Sequence, residues 1–150
     1  MPLPPRMPKP EEITLPESDG ALAQKQSDTK ARVLLVEDDK ALRRYLEVTL
    51  ERAGYEVFSA ADGLDAMKTA LTTNVDVVIT DAIMPNLSGH ELCRFLRNSP
   101  TLSHIPIVLL SGQERKESRR EEELADAFLS KPVSAETLTE CVAGLLERQP

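Results

Sequence analysis

The chain has 150 residues, which is enough for one domain of ordinary size. Its 18 basic and 25 acidic residues give a net charge of −7, and this argues against a general nucleic-acid binder, which needs a basic face. Two cysteines are too few for a disulfide framework, and neither a membrane span nor a secretory signal is visible in the sequence. These features predict a cytoplasmic protein with no membrane segment.

The first 30 residues differ in composition from the rest of the chain. Six of the 11 prolines fall within residues 1–16, and the apolar residues up to Lys30 follow no helical or strand period. Such a segment buries too little apolar surface to offset the entropy of ordering it. We therefore predict a disordered Pro-rich N-terminal tail over 1–30 and one folded domain over 31–150. The tail is interpreted as a solubilising or linker segment, with a docking motif as the alternative.

From Ala31 onwards, short aliphatic runs alternate with amphipathic segments of helical spacing. The predicted strands are 33–36, 55–59, 75–80, 105–110 and 127–129. The predicted helices run from the cap Asp39 to Gly54, over 62–71, from the capping box of Ser88 and Glu91 to Asn98, and from the cap Ser134 to Leu146. This alternation predicts an α/β fold with a doubly wound five-stranded parallel sheet and helices on both faces.

Charged and polar residues follow four of the five predicted strands. They are Glu37-Asp38-Asp39 after the first strand, Asp81 after the third, Ser111-Gly112 after the fourth and Lys131-Pro132 after the fifth. In such a sheet the carboxyl ends of the strands share one edge, where ligands bind. Oxygen ligands without histidine favour a hard cation such as Mg²⁺. Carboxylates, Mg²⁺, a hydroxyl and an ammonium group together indicate a phosphoryl-transfer site with a carboxylate nucleophile.

These motifs resemble the receiver domain of response regulators in two-component signalling. The matching segments, within about residues 31–148, are VLLVEDD, DVVITDAIMPNLSGHEL, IPIVLLSG and FLSKP. The resemblance implies a flavodoxin-like sheet with strand order 2-1-3-4-5. It also implies a phosphorylation-dependent switch that is not an enzyme beyond its own phosphorylation and dephosphorylation, and the leading interpretation is a stand-alone receiver. A sensor histidine kinase or a phosphotransfer protein would donate the phosphoryl group.

The resemblance implies a phosphoacceptor and a set of metal ligands. Asp81 is the phosphoacceptor, and Lys131 pairs first with its carboxylate and then with the phosphoryl group. Glu37, Asp38 and Asp81 are the expected side-chain ligands of Mg²⁺, and the backbone carbonyl of Ile83 is the remaining protein ligand. Asp38 is expected to bind the cation directly and Glu37 through water; the family often has aspartate at the position of Glu37, and the longer side chain of glutamate changes its reach.

The resemblance also implies residues that switch the domain or tune its chemistry. Ser111 contacts the phosphoryl group and moves on activation, and Phe128 is the aromatic residue that turns inward when it does. Ile83 and Gln113 occupy the positions at which the family tunes hydrolysis of the phosphoryl group. The bond between Lys131 and Pro132 is expected to be cis.

Residues 113–123 depart from the family pattern. Their sequence, QERKESRREEE, contains no hydrophobic side chain, although the family has an amphipathic helix between its fourth and fifth strands. A helix that is polar all round is unstable or solvent-bridging, and like charges such as Arg115 and Arg119 face each other at i,i+4 spacing. We predict a short, frayed or displaced helix here, which brings the usual output face of the family into question.

Several alternatives remain open at this point. The chain could be a receiver fragment of a larger hybrid kinase or of a DNA-binding regulator. An aspartyl-phosphate phosphatase is disfavoured because Ile83 stands where such enzymes carry a second aspartate, and a flavin-binding module is disfavoured because residues 37–39 would repel a phosphate. The leading interpretation expects an unknown downstream protein and no direct DNA binding, with a phosphorylation-dependent homodimer left open.

Overall fold

The computed structural model describes residues 29–84, 86–112 and 124–148. Three of the sequence predictions lie outside these ranges: the tail up to residue 28, the polar helix over 113–123, and the role of Gln113. Among the helices in the described ranges, none combines the length and apolar character needed to cross a membrane.

Five parallel strands form a single sheet in the order β2-β1-β3-β4-β5, as predicted. The strands are β1 Arg32–Val36, β2 Glu56–Ala60, β3 Val77–Asp81, β4 Ile107–Ser111 and β5 Ala127–Ser130. Three of them, β2, β3 and β4, start and end one or two residues later than the sequence predicts. The side chain of Asp76 accepts a hydrogen bond from the backbone amide of Arg32, and the ladder of β3 begins one residue after Asp76. The later ends place Asp81 and Ser111 within the ladder itself, where strand pairing holds their backbone in position.

The described residues contain four helices, and three of them begin directly after the residue that the sequence predicts as their cap, Asp39, Ser88 or Ser134; the other begins after Asp62, which the sequence places as the first residue of that helix. They are α1 Lys40–Arg52, α2 Gly63–Thr72, α3 Gly89–Asn98 and α4 Ala135–Glu147. Asp39 accepts from the amides of Ala41 and Leu42, and Ser88 and Glu91 form the predicted capping box. Gly54 ends α1 with φ 102°, a conformation that other residues rarely adopt.

The alternation of side chains along each strand divides the core into two apolar layers. One layer, under α2 and α3, includes Leu34, Val78, Leu109, Ala66 and Leu92. The other, under α1 and α4, includes Leu35, Ile79, Leu110, Leu46 and Leu138. The central strands β3 and β4 are buried along their whole length, which explains why their sequences are continuous aliphatic runs. Helices therefore cover both faces of the sheet, as predicted.

Gly89 allows the first turn of α3 to lie directly against the end of β3. Its amide donates to the carbonyl of Ala82 at 2.9 Å. A Cβ atom built at this position would lie 2.0 Å from the carbonyl oxygen of Asp81, far inside van der Waals contact. Only glycine fits this contact. The backbone of Asp81 is therefore held between β4 on one side and the first turn of α3 on the other.

Candidate functional site

Three carboxylates meet at the carboxyl edge of the sheet. Glu37 and Asp38 follow β1, and Asp81 ends β3, the strand that pairs with β1. One oxygen of each side chain lies within 4.8 Å of the oxygens of the other two. Glu37 and Asp81 are buried, whereas Asp38 is exposed. The predicted acidic cluster is therefore formed, with its inner part shielded from solvent and its outer part open to it.

Lys131 brings one positive charge to this cluster. Its Nζ lies 3.1 Å from Oδ2 of Asp81 and 3.3 Å from Oε1 of Glu37. The backbone amide of Lys131 donates to the carbonyl of Ser111 at 2.8 Å, which continues the pairing of β5 with β4 by one residue. The peptide bond to Pro132 is cis, as predicted. A lysine distant in sequence thus reaches both buried carboxylates because β5 delivers it to the same edge.

Burial and charge shift the pKa values of these three groups. Burial raises the pKa of the Asp81 carboxyl, and the hydrogen bond and charge of Lys131 oppose this increase without cancelling it. Burial also raises the pKa of Glu37, although the amide of Asp39, which donates to its Oε2 at 3.1 Å, stabilises the ionised form. Burial lowers the pKa of Lys131, but the hydrogen bond and charges of Asp81 and Glu37 outweigh this effect and raise it. The lysine therefore stays protonated between two carboxylates.

Ser111 and Phe128 lie on the adjoining side of the cluster. Leu110 is the register partner of Asp81, so Ser111 is one residue beyond it on the neighbouring strand. Phe128 pairs in register with Leu109 and packs, half-buried, against the core layer under α2 and α3. Residues two apart on a strand share a face, so Ser111 lies on the same face of the sheet as Leu109 and Phe128. The hydroxyl of Ser111 is 3.3 Å from the carbonyl oxygen of Gly112.

Ile83 and Asp39 occupy different positions relative to the cluster. The amide of Ile83 donates to the carboxylate of Asp81, and the Ile83 side chain is 51% exposed beside it. The role of the Ile83 carbonyl as a metal ligand stays a prediction. Asp39 uses its side chain to cap α1 and is not part of the carboxylate cluster, in agreement with its predicted role as a cap.

The donor set fits a hard divalent cation. All its side-chain ligands are carboxylate oxygens, which suit Mg²⁺ better than a softer metal. Oε1 of Glu37 is buried, and within the described residues it accepts no well-aligned hydrogen bond besides its ion pair with Lys131. Glu37, Asp38 and Asp81 are thus the side chains that could hold the cation, with the exposed Asp38 on the side open to solvent.

Two supporting residues were missed by the sequence reasoning. Nη1 of Arg43 donates to the carbonyl of Glu37 at 2.8 Å and so fixes the loop after β1. The hydroxyl of Thr80 donates to the carbonyl of Asp81 at 3.0 Å in a buried position. An arginine in the first turn after an acidic loop is a weak signal for the first contact. No sequence pattern indicates the second, because it depends on how the end of β3 is buried.

Comparison with known proteins gives a consistent result. The sequence matches the family described as "Response regulator receiver domain" over residues 33–143. It is 40% identical over 119 residues to the uncharacterized transcriptional regulatory protein YrkP of Bacillus subtilis, a match that covers 78% of this chain and 50% of YrkP. It is 30% identical over 117 residues to the protein PilG of Pseudomonas aeruginosa, covering 77% of this chain and 86% of PilG. The chain therefore spans half the length of the first relative and most of the second.

Solved structures show the same fold. A response regulator from Chloroflexus aurantiacus superposes with a TM-score of 0.75 at 31% identity, over 80% of this chain and all of the other. The response regulator TrrA of Thermotoga maritima, solved in complex with Mg²⁺ and BeF, superposes with a TM-score of 0.71 at 31% identity, over 77% of this chain and 98% of TrrA. The similarity extends over the part of the chain that carries the carboxylate cluster.

Proposed function

Since the chain belongs to the response regulator receiver domain family, we propose that it is a phosphorylation-dependent signalling switch with Asp81 as its phosphoacceptor. The observation that carries this proposal is the placement of the Asp81 carboxylate, 3.1 Å from the Lys131 ammonium and within 4.8 Å of the oxygens of Glu37 and Asp38. A nucleophilic carboxylate, a cation binding site and a fixed positive charge are the parts that phosphoryl transfer to an aspartate requires.

The transfer itself needs little covalent chemistry from the protein. An oxygen of Asp81 forms a bond to phosphorus while the P–N bond of a donor phosphohistidine breaks, and the electron pair stays with the leaving imidazole. Lys131, which pairs with Asp81 at the start, is placed to pair with a phosphoryl oxygen afterwards. The hydroxyl of Ser111 would donate to a second oxygen of the phosphoryl group. Mg²⁺ bound by Glu37, Asp38 and Asp81 would offset the negative charge that carboxylates and phosphoryl oxygens bring together.

The switch role rests on the relation between Ser111 and Phe128. Both lie on the same face of the sheet, on neighbouring strands, and Phe128 is only partly buried. If the hydroxyl moves toward a phosphoryl group, space opens on that face next to a half-buried aromatic ring. We propose that this movement changes the surface around β5, and that a downstream protein recognises the change.

The partners follow from the chemistry of the donor and from the relatives. We propose a histidine kinase or a phosphotransfer protein as donor, because either presents a phosphohistidine. A mainly apolar cavity of about 550 Å³, with Leu42, Tyr45 and Val133 in its lining, includes Lys131, and we propose it as a contact surface for such a protein. One relative, RpaA of Synechocystis, carries the description "DNA-binding", and this chain covers 49% of its length. The absence of direct DNA binding by this chain, its cytoplasmic location and a phosphorylation-dependent homodimer stay predictions.

Labelling with a small acyl phosphate tests the assignment of Asp81. With acetyl phosphate and Mg²⁺, we expect the wild-type chain to gain one phosphoryl group by intact mass and Asp81→Asn to gain none. Asp38→Asn is the matched control: it keeps the acceptor but removes an exposed oxygen ligand, so labelling should persist and need a higher Mg²⁺ concentration. Labelling of Asp81→Asn at the wild-type rate would show that the acceptor is another residue.

A further inference from the structure

The outer face of α2 carries two exposed leucines that the phosphoacceptor site does not use. Within the described residues the large hydrophobic side chains left exposed are Tyr45, Leu64, Leu71 and Ile83. Leu64 is 55% exposed and Leu71 is 61% exposed, and both belong to α2. They are seven residues apart, which is two helical turns, so they lie one above the other on the same line of the helix.

Two opposite charges accompany these leucines on the same outer surface. Asp65 and Lys68 are exposed, and neither has an ion-pair partner among the described residues. The inner side of α2 is occupied by the buried residues Ala66 and Ala70, which pack on the sheet. Because α2 packs on β1 and the edge strand β2, its outer face lies at the flank of the sheet.

We propose that this face, defined by Leu64, Asp65, Lys68 and Leu71, is a self-association surface whose partner is a second copy of the chain. A two-fold axis perpendicular to α2 would set the two helices antiparallel and make the contact isologous. If the pair is centred between residues 67 and 68, Leu64 of each copy lies opposite Leu71 of the other. The four leucines then cover one another.

The charges fit the same arrangement. The two-fold axis leaves Asp65 and Lys68 of one copy along the same edge of the contact as Asp65 and Lys68 of the other copy. With a rise of 1.5 Å per residue, Lys68 of one copy lies about 3 Å along the axis from Asp65 of the other. Each lysine therefore reaches the aspartate of the second copy, and two symmetric ion pairs form. A different occupant would have to supply both an apolar stripe and the same charge order, which the chain itself already provides.

The size of the surface sets its strength. One helix face on each copy is smaller than the roughly 1,200 Å² of total area that stable complexes bury. The association is therefore weak and depends on concentration. The association involves no residue of the phosphoacceptor site, so it occurs in the unphosphorylated protein. Its test is therefore independent of the test of the proposed function.

Sedimentation velocity of the full chain from micromolar to millimolar concentration tests the proposal. We expect a reversible monomer–dimer equilibrium, which Leu71→Ser weakens by about tenfold or more because it removes two of the leucine contacts from each dimer. The exposed position of Leu71 leaves the fold intact, which thermal melts would verify. Asp81→Asn should associate like the wild type. A wild-type chain that stays monomeric, or a dimer unaffected by Leu71→Ser, would overturn the proposal.

Charge exchange gives a sharper test of the arrangement. Asp65→Lys makes this face wholly basic and Lys68→Asp makes it wholly acidic, so each variant alone should repel its own copies and remain monomeric. An equimolar mixture of the two restores both ion pairs in a mixed dimer and should associate, with one variant carrying a mass label. A mixture that behaves like the two separate variants would rule out the antiparallel pairing.

Discussion

Two corners of the carboxyl edge supply the opposite charges of the site, and they are held very differently. The acceptor corner consists of Asp81, Ala82 and Gly89; all of β3 is buried, and Gly89 brings α3 into contact with the backbone of Asp81. The lysine corner consists of Phe128, Ser130 and Lys131; no residue of β5 is fully buried, and Lys131 is 25% exposed. The proposed nucleophile, Asp81, lies on a fully buried central strand, whereas the lysine that pairs with it comes from an edge strand.

If Asp81 is the phosphoacceptor, as proposed, this difference in burial suits the two corners to separate tasks. Phosphoryl transfer requires an acceptor held in one position, because small errors in placement cost much of the rate. A response to phosphorylation requires a part that can move at low cost, and segments with few buried contacts are the ones that open most easily. We therefore expect substitutions at the acceptor corner to affect folding strongly, and those at the lysine corner to act mainly through charge.

The largest effect is expected from Gly89→Ala. The added methyl group would overlap the carbonyl oxygen of Asp81, and the neighbouring atoms are backbone, which cannot move aside cheaply. Overpacking of this kind costs about 3 kcal/mol of unfolding free energy. Gly144→Ala is the matched control, since nothing lies within 4 Å of its Cβ position in α4; it should raise stability by about 0.5–1 kcal/mol. Urea denaturation giving similar losses for both variants would contradict the tight acceptor corner.

Lys131→Met should have the next largest effect. It leaves Glu37 and Asp81 buried without a nearby cation, and breaking a buried ion pair costs about 3–5 kcal/mol. The partial exposure of Lys131 reduces this to about 2 kcal/mol at neutral pH without divalent cations. The loss should shrink in acid, where the two carboxyls are protonated, and on addition of Mg²⁺. Lys40→Met, at an exposed lysine, should change stability little at any pH. A pH-independent loss in Lys131→Met would mean that packing, and not charge, holds the lysine corner.

A smaller effect of opposite sign is expected from Asp81→Asn in buffer without divalent cations. Burial raises the pKa of Asp81 above its value in the unfolded chain, so the folded protein binds more protons as the pH falls through this range. The ionised carboxyl therefore costs stability above its folded pKa, and this cost disappears in acid. We expect the variant to be about 1 kcal/mol more stable than the wild type at pH 7 and equal to it in acid. Thermal melts that show a less stable variant at pH 7 would contradict this.

Much of this site follows from residues read in order along the chain. Strand ends are visible as the points where aliphatic runs stop, so the convergence of Glu37, Asp81, Ser111 and Lys131 could be predicted once a parallel sheet was inferred. The caps of the helices are equally local, because a cap residue bonds to amides two or three positions away.

Other features could not be predicted, because they depend on distances between elements. Gly89 lies within the segment DVVITDAIMPNLSGHEL. The reason that glycine is needed there is the close approach of α3 to β3, which the hydrophobic periodicity of the sequence does not show. Leu71 is the last residue of the predicted helix over 62–71, yet it faces solvent, because Ala66 and Ala70 already fill the inner side of α2. The unequal burial of the two corners likewise follows from the position of β5 at the edge of the sheet and of β3 inside it.

The variant Ile83→Asn should change stability least of all, but it should change the lifetime of the phosphoryl group on Asp81. The Ile83 side chain is 51% exposed beside Asp81, where it can obstruct the approach of water to an aspartyl phosphate. Asparagine at this position can instead hold a water molecule by hydrogen bonds, so we expect the phosphoryl group to be lost several-fold faster, as followed by intact mass after removal of acetyl phosphate. Leu64→Asn, a substitution at a similarly exposed residue on α2, should leave the lifetime unchanged. If the phosphoryl group has the same lifetime in Ile83→Asn and in the wild type, then Ile83 does not control the access of water to Asp81. The more open lysine corner would then be the place where that access is controlled.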